Sequence, residues 1–405
     1  MICIQPSGRF SFTIYNLPFI IKQMIYFDNN ATTQIAPEVF AAMQPFLTEF
    51  YGNPSSAYNF GREMRKFTED AREQIADLIG AENSSEIVFT SGGTESDNWA
   101  ILGTLEAANP NKKHIVTTRV EHEAVRKLCE KLERKNYEIT WLDVDENGFL
   151  DLDKLKNSLR AETAIVSVML ANNETGILFP VKEIAQIVKA NSAAIFHVDG
   201  VNAVGKIPIC LKNTEIDLLS LSGHKFHAPK GIGALYIKNG VNLPAMLIGG
   251  GQENDKRAGT ESLHQIAALG AAAKLAANFS AMENVRILRD KLEDFILQNI
   301  PNAKLNGTSD RTKRLPNTSS ISFSNMNGET ILAKLNDLEI CVSTGSACNA
   351  ENHTASAVLE AMNIPYADAM GAIRFSLGRY NTEREVDFVI EKLPKIIEEL
   401  RSFAF

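Results

Sequence analysis

The stretch IVFTSGGTESDNWAILGTLEAA, residues 87–108, changes its hydrophobic rhythm part-way along. Ile87, Val88 and Phe89 form a continuous apolar run, which reads as a strand covered on both faces. Gly92 and Gly93 interrupt it. Thr94, Glu95 and Ser96 then open a segment that reads as a helix. The same alternation spreads outward in both directions. A helical stretch, REMRKFTEDAREQIADLIG, comes before it. Strands HIVTT, EITWLDV, TAIVSVML and AAIFHVD follow, separated by helices EHEAVRKLCEKLERK, DLDKLKNSL and PVKEIAQIVKA. Short strands DLLSLSG and GALYIK close the series. Strands spaced by helices require right-handed crossovers, so the pattern predicts an α/β fold on a mainly parallel, seven-stranded sheet flanked by helices. In such sheets function gathers at the carboxyl ends of the strands.

Beyond about residue 260 the texture changes. The run SLHQIAALGAAAKLAANFSAMENVRILRDKLEDFILQNI reads as one long helix or a helix pair. Strands TSSISFS, EICVST and AIRFSLG then alternate with helices ETILAKLND and EREVDFVIEKLPKIIEELRS, which predicts a second, smaller α+β domain.

The chain has 405 residues, a net charge of −8 and 44% hydrophobic residues, the balance of a soluble globular protein. The acidic balance and the lack of a long basic run argue against nucleic acid as a partner. No 18-residue apolar stretch is present, so no membrane span is expected. The five cysteines are widely spaced and form no Cys-x-x-Cys pair. That argues against a disulfide framework and a structural zinc site, and for a reducing cytoplasm. Residues 1–23 have no signal-peptide pattern and read as an extension, disordered or foreign to the fold, with Met24 opening the folded part.

Five motifs follow predicted strand ends. In TSGGTESDN (90–98) a glycine turn leads into a helix start, whose free N–H groups and dipole suit a phosphate; it is also an ordinary capped helix start. In HVDG (197–200), Asp199 is a cap, a metal ligand or a partner for a cationic ring. In SLSGHKFHAPKG (220–231), Lys225 follows a strand in a tight turn; a lysine there is either a solvated loop residue or an activated nucleophile. His227 and Lys230 qualify by chemistry alone. His122 opens a helix after strand HIVTT, and ANNETG (171–176) supplies adjacent amides. Together, a phosphate cradle, an acid, a lysine and a histidine match what pyridoxal phosphate needs. The lysine forms the Schiff base, the acid pairs the ring nitrogen and the cradle holds the phosphate.

DNNATT (28–33), GTESDN (93–98), EH (121–122), NNETG (172–176), HVD (197–199), SGHKFHAPKG (222–231), RAGT (257–260), STGSAC (343–348) and IRFSLGR (373–379) occur in this order. The chain from about Met24 onward strongly resembles the cysteine desulfurases, within the class V branch of fold-type I pyridoxal-phosphate enzymes. The GSAC cysteine is the most specific mark. The resemblance implies a large cofactor-binding domain over residues 38–275. It implies a small domain of residues 24–37 with 276–405, carrying Cys348 on a mobile loop. Lys225 resembles the Schiff-base lysine and Asp199 the ring-nitrogen partner. Gly93, Thr94, Ser222 and His224 resemble phosphate contacts, with Thr260 supplied from the neighbouring subunit of a homodimer. His122 resembles the histidine stacked on the cofactor ring. Asn173 resembles an amide near the cofactor's ring oxygen and the substrate, and Arg374 the clamp on the substrate carboxylate.

The implied reaction is removal of sulfur from L-cysteine, giving L-alanine and a persulfide on Cys348. The sulfur then passes to an acceptor such as an iron–sulfur scaffold, a tRNA-thiolation protein or a cofactor pathway. Two departures stand out. Asn202 occupies the place of the family's usual Gln, keeping the amide on a shorter stem. Asn349, Ala350 and Glu351 follow the GSAC cysteine, and a carboxylate at Glu351 is expected to raise the thiol's pKa slightly by like-charge repulsion. Selenocysteine lyase and class V aminotransferase are the alternative activities. An inactive scaffold has no chemical need for Lys225, Asp199, His122, Cys348 and Arg374 together. Cys129 and Cys210 read as small core residues and Cys341 as buried in its strand.

Overall fold

The computed structural model describes residues 24–344 and 355–402. The extension before Met24 and Cys348 lie outside the described residues. In chain order the strands are β1 (Ile25–Tyr26), β2 (Ile87–Thr90), β3 (His114–Thr118), β4 (Glu138–Leu142), β5 (Thr163–Met169), β6 (Ile195–Asp199), β7 (Leu218–Ser222), β8 (Gly233–Ile237), β9 (Ala303–Leu305), β10 (Thr318–Phe323), β11 (Ile340–Cys341), β12 (Ser343–Thr344) and β13 (Ala372–Ser376).

The expected seven-stranded sheet is present, in the order β2-β8-β7-β6-β5-β3-β4. Strand β8 alone runs against the rest, pairing antiparallel with both β2 and β7. The other pairings, β7 to β6, β6 to β5, β5 to β3 and β3 to β4, are parallel. All seven residues of β5 are buried, as a strand covered by helices on both faces must be. Six strands therefore end at the same edge, and the loops that carry the motifs meet there.

Helix Asn59–Ile79 closes one flank. It buries Met64, Ala71, Ile75 and Ile79 on one face and stops at Gly80, whose φ of 59° is the left-handed cap glycine adopts without a Cβ clash. A Cβ at Gly80 would stand 2.8 Å from the Cα of Cys210. Cys210 itself is exposed, contrary to the sequence expectation. The loop places Leu211 in the buried slot and turns the thiol outward. Cys129 is buried in helix Glu123–Glu133 as expected, whereas Cys341 is only half-buried.

The run from 262 to 300 resolves into a helix pair, Leu263–Ala276 and Ser280–Asn299. The second half builds an antiparallel sheet, β12-β13-β10-β9, and β1 pairs in parallel with β11. A separate apolar cluster runs through this part, from Ile25 and Phe27 through Val285, Leu292, Phe323 and Phe375 to Ile397. Helix Ala357–Ala361 is different: Val358 and Leu359 join the core of the large sheet instead. Among the described residues no helix is long and apolar enough to cross a membrane.

Candidate active site

At the carboxyl edge of the large sheet lies a cavity of about 380 Å³. Of the residues singled out in the sequence, Gly93, Thr94, His122, Asn173, Asp199, Asn202, Ser222, His224, Lys225 and Arg374 all line it. They come from separate segments, yet each sits directly after a strand or on the opposing small sheet. Thr260 is exposed and does not line the cavity of its own chain. Arg257, at the start of the same RAGT stretch, is tied to Glu95 beside the cradle at 3.0 Å.

The cradle is the start of helix Gly93–Ala107, directly after β2. A helix leaves its first N–H groups without intrahelical acceptors. A Cβ at Gly93 would lie 2.6 Å from Val201, so the close approach requires glycine. Ser222 ends β7 and His224 and Lys225 follow in a single 3₁₀ turn, which brings all three to the same wall. Free N–H groups, a hydroxyl and an imidazole form a donor set suited to a phosphate.

Asp199 ends β6 and is buried, accepting from the Val201 N–H at 2.9 Å. Burial raises its carboxyl, while His122 and Lys225 pull it back. The buried wall behind it is acidic too. Burial, with Asp199 and Glu121 nearby, holds the Asp97 carboxyl well above its ordinary value. Glu121 accepts from Thr118 at 2.7 Å and from the Met169 N–H at 3.1 Å, and burial pushes it up to about 8. His197, between Ser167 and Ser220, is kept neutral by burial, pushed down to about 3. In this wall Asp199 is the carboxylate with cationic neighbours in the cavity, so it is the one suited to hold charge against a cationic ring.

Lys225 Nζ donates to the main-chain oxygens of Asn30 and Ala31. His122 caps helix Glu123–Glu133, its Nδ1 accepting from the Ala124 N–H at 3.2 Å, which leaves the proton on Nε2. Surrounding protein lowers its pKa, with Asp199 opposing. Arg374 donates to Asp28 at 2.6 Å and to the Asn173 carbonyl at 2.9 Å.

The sequence reading missed several residues of this site. Asp28, Asn30, Asp97 and Glu174 line or frame the cavity, and Glu121 and Lys206 stand behind it. Most were inside quoted motifs, DNNATT, GTESDN, EH and NNETG, without an assigned role. Glu174 accepts a hydrogen bond from Ser356, and burial pushes its carboxyl up to about 7.

Comparisons with known proteins agree with this geometry. The aminotransferase class-V family matches residues 25–389. A relative from Trichormus variabilis, cysteine desulfurase 2, is 52% identical over 382 residues, covering 94% of this chain and 95% of its own. A solved NifS-like protein superposes with a TM-score of 0.87 at 38% identity, covering 93% of this chain and 100% of its own. SspA, solved in complex with cysteine, superposes with a TM-score of 0.78 at 31% identity, covering 88% of this chain and 100% of its own. The chain belongs to the class-V aminotransferase family and, within it, to the cysteine desulfurases.

Proposed function

We propose that this enzyme binds pyridoxal phosphate, takes sulfur from L-cysteine, releases L-alanine and carries the sulfur as a persulfide on Cys348. The observation that carries this reading is the convergence of Lys225, Asp199, His122 and Arg374 with an anion cradle on one cavity. The donor set fits the cofactor: a glycine-started helix for its phosphate, a lysine for its aldehyde and a buried carboxylate for its ring nitrogen. Once bound, pyridoxal phosphate supplies an electron sink that makes the substrate Cα–H acidic.

The chain's own residues supply the rest. Gly93, Thr94, Ser222 and His224 hold the phosphate, with Thr260 of a second copy completing the site in a homodimer. The exposed position of Thr260, away from its own cavity, supports that arrangement. Asp199 keeps a proton on the ring nitrogen. Asn173 and Arg374 orient the substrate, Arg374 gripping its carboxylate. Lys225 takes the Cα proton. His122 moves protons at the substrate sulfur. The Cys348 thiolate attacks that sulfur: the carbon–sulfur bond breaks, a sulfur–sulfur bond forms, and the carbon skeleton gains a proton and leaves as alanine. The separate second core, from Ile25 and Phe27 to Ile397, supports a small domain of residues 24–37 with 276–405 against a large domain of 38–275, with helix Ala357–Ala361 packed on the large core. A persulfide carrier fits a reducing, cytoplasmic setting, with a sulfur acceptor such as an iron–sulfur scaffold as its partner.

Two variants test the reading. Cys348→Ser is expected to keep the cofactor's visible absorbance and to lose alanine formation from cysteine. Lys225→Ala is expected to lose the lysine-bound absorbance. Full turnover in the first variant, or an unchanged band in the second, would overturn it.

A further inference from the structure

Behind the cavity lies a lysine that the reaction above does not use. Lys206 is 5% exposed, and lysine is almost never buried without a partner. Its Nζ donates to the side-chain oxygens of Asn202 at 2.7 Å and Asn30 at 2.8 Å, both neutral amides. Each contact fixes a group that faces the site. Asn30 is shared by two lysines: its side-chain oxygen accepts from Lys206, and its main-chain oxygen accepts from Lys225. The Asn202 amide is held by its oxygen, so the end left over is the NH₂. One N–H of that NH₂ donates to the Asn172 carbonyl at 3.3 Å, which leaves its second N–H for a ligand in the cavity that Asn202 lines.

This arrangement bears on the shorter amide at position 202. An amide can serve the anionic ring oxygen of pyridoxal phosphate only as a donor. Free rotation of the side chain would present its oxygen as readily as its nitrogen. A donor clamped on the oxygen removes that choice. We propose that Lys206 is a positioning residue, which locks Asn202 with its N–H toward the cofactor's ring oxygen.

The inference rests on the functional reading above. It requires no particular charge on Lys206, because two N–H donors are enough for its two acceptors. Burial first, then Lys225 and Arg374, push its ammonium well below the ordinary value, which is consistent with a neutral donor. The titratable and charged groups that face the same space are Asp28, Asp97, Glu174, Asp199, His122, His224, Lys225 and Arg374, with Lys230 beyond His224 and with His227 and Arg379 on the Lys206 side. Lys206 is itself among the cations that lower His224 and His227, so those two change with position 206, whereas Asn202→Ala leaves every one of these groups in place.

The test is a pH titration of the visible band of the loaded protein, which needs no turnover. A donor on the ring oxygen lowers the basicity of the oxygen and of the Schiff-base nitrogen beside it. Loss of Lys206 therefore raises the midpoint. Lys206→Met is expected to shift it upward by about one pH unit, as is Asn202→Ala, and the double variant is expected to shift it no further. Should Lys206→Met fail to fold, Lys206→Leu, which also has no donor, takes its place. A wild-type midpoint in Asn202→Ala or in the folded Lys206 variant, or fully additive shifts, would overturn the proposal. Absence of any band in the wild-type protein would instead overturn the functional reading itself.

Discussion

Arg374 and Asp28, 346 positions apart in sequence, form an ion pair of 2.6 Å on the cavity wall. The Asn173 carbonyl anchors the same guanidinium at 2.9 Å, so its plane is set by two contacts before any substrate arrives. Arg374 Nε is buried and donates to no protein partner among the described residues. A fixed guanidinium loses less freedom when it grips a carboxylate. Asp28→Ala is expected to raise KM for cysteine roughly tenfold, with kcat changed far less. Steady-state kinetics check this. An unchanged KM would contradict it.

Glu121 gives a pH signature in stability. Its carboxyl rises from the ordinary 4.5 to about 8 because it is buried. Between those values the folded protein keeps a proton that the unfolded chain has released, so stability falls as pH rises. Glu121→Gln removes that loss and is expected to gain on the wild type by a few kcal/mol, in order of magnitude, from pH 5 to pH 8. Melting temperatures of both proteins across that range decide it. Parallel curves would contradict the assignment.

Arg72 tests the flank that positions β2. It pairs with Glu253 at 2.7 Å, and Glu253 also accepts from the Phe89 N–H at 2.9 Å, with all three groups buried. Arg72→Met leaves the Glu253 carboxylate without its counter-charge. The expected cost is about 3–5 kcal/mol, because an uncompensated buried charge is left behind. Denaturant midpoints measure it; a cost below about 1 kcal/mol would show that the pair does not brace β2.

Gly93 tests the cradle. Its Cβ would meet Val201 at 2.6 Å, so Gly93→Ala must push the helix start away from the phosphate position. Cofactor affinity is expected to fall at least about tenfold, the loss of roughly one charge-assisted hydrogen bond. Titration with pyridoxal phosphate, followed by absorbance, reads it directly. Wild-type affinity would contradict the cradle's role.

Much of this was legible in the sequence, because it is local. Strand–turn–helix rhythm marked β2, β3, β5 and β6, and each motif sits within a few residues of its strand end. Lys225 and Ser222 share one turn, so a single quoted stretch contained both. The rest depends on contacts between distant segments. Asp28 reaches Arg374, and Lys206 reaches Asn30 across 176 positions, only because the two sheets close on one another. The reversed direction of β8 leaves no local trace either, since a short buried strand has the same composition either way round. Cys210 was misjudged for a related reason: an apolar neighbourhood in sequence does not say which residue of the loop turns inward.

The central claim is that Cys348 receives the substrate's sulfur. The loaded protein is incubated with L-cysteine, alanine is quantified, and the peptide containing Cys348 is weighed by mass spectrometry without reductant. The account predicts alanine together with a gain of about 32 Da on Cys348, one sulfur atom, and neither product in Cys348→Ser. Alanine formed at an undiminished rate with Cys348 unmodified, or the added mass on Cys210 or Cys341 instead, would contradict it.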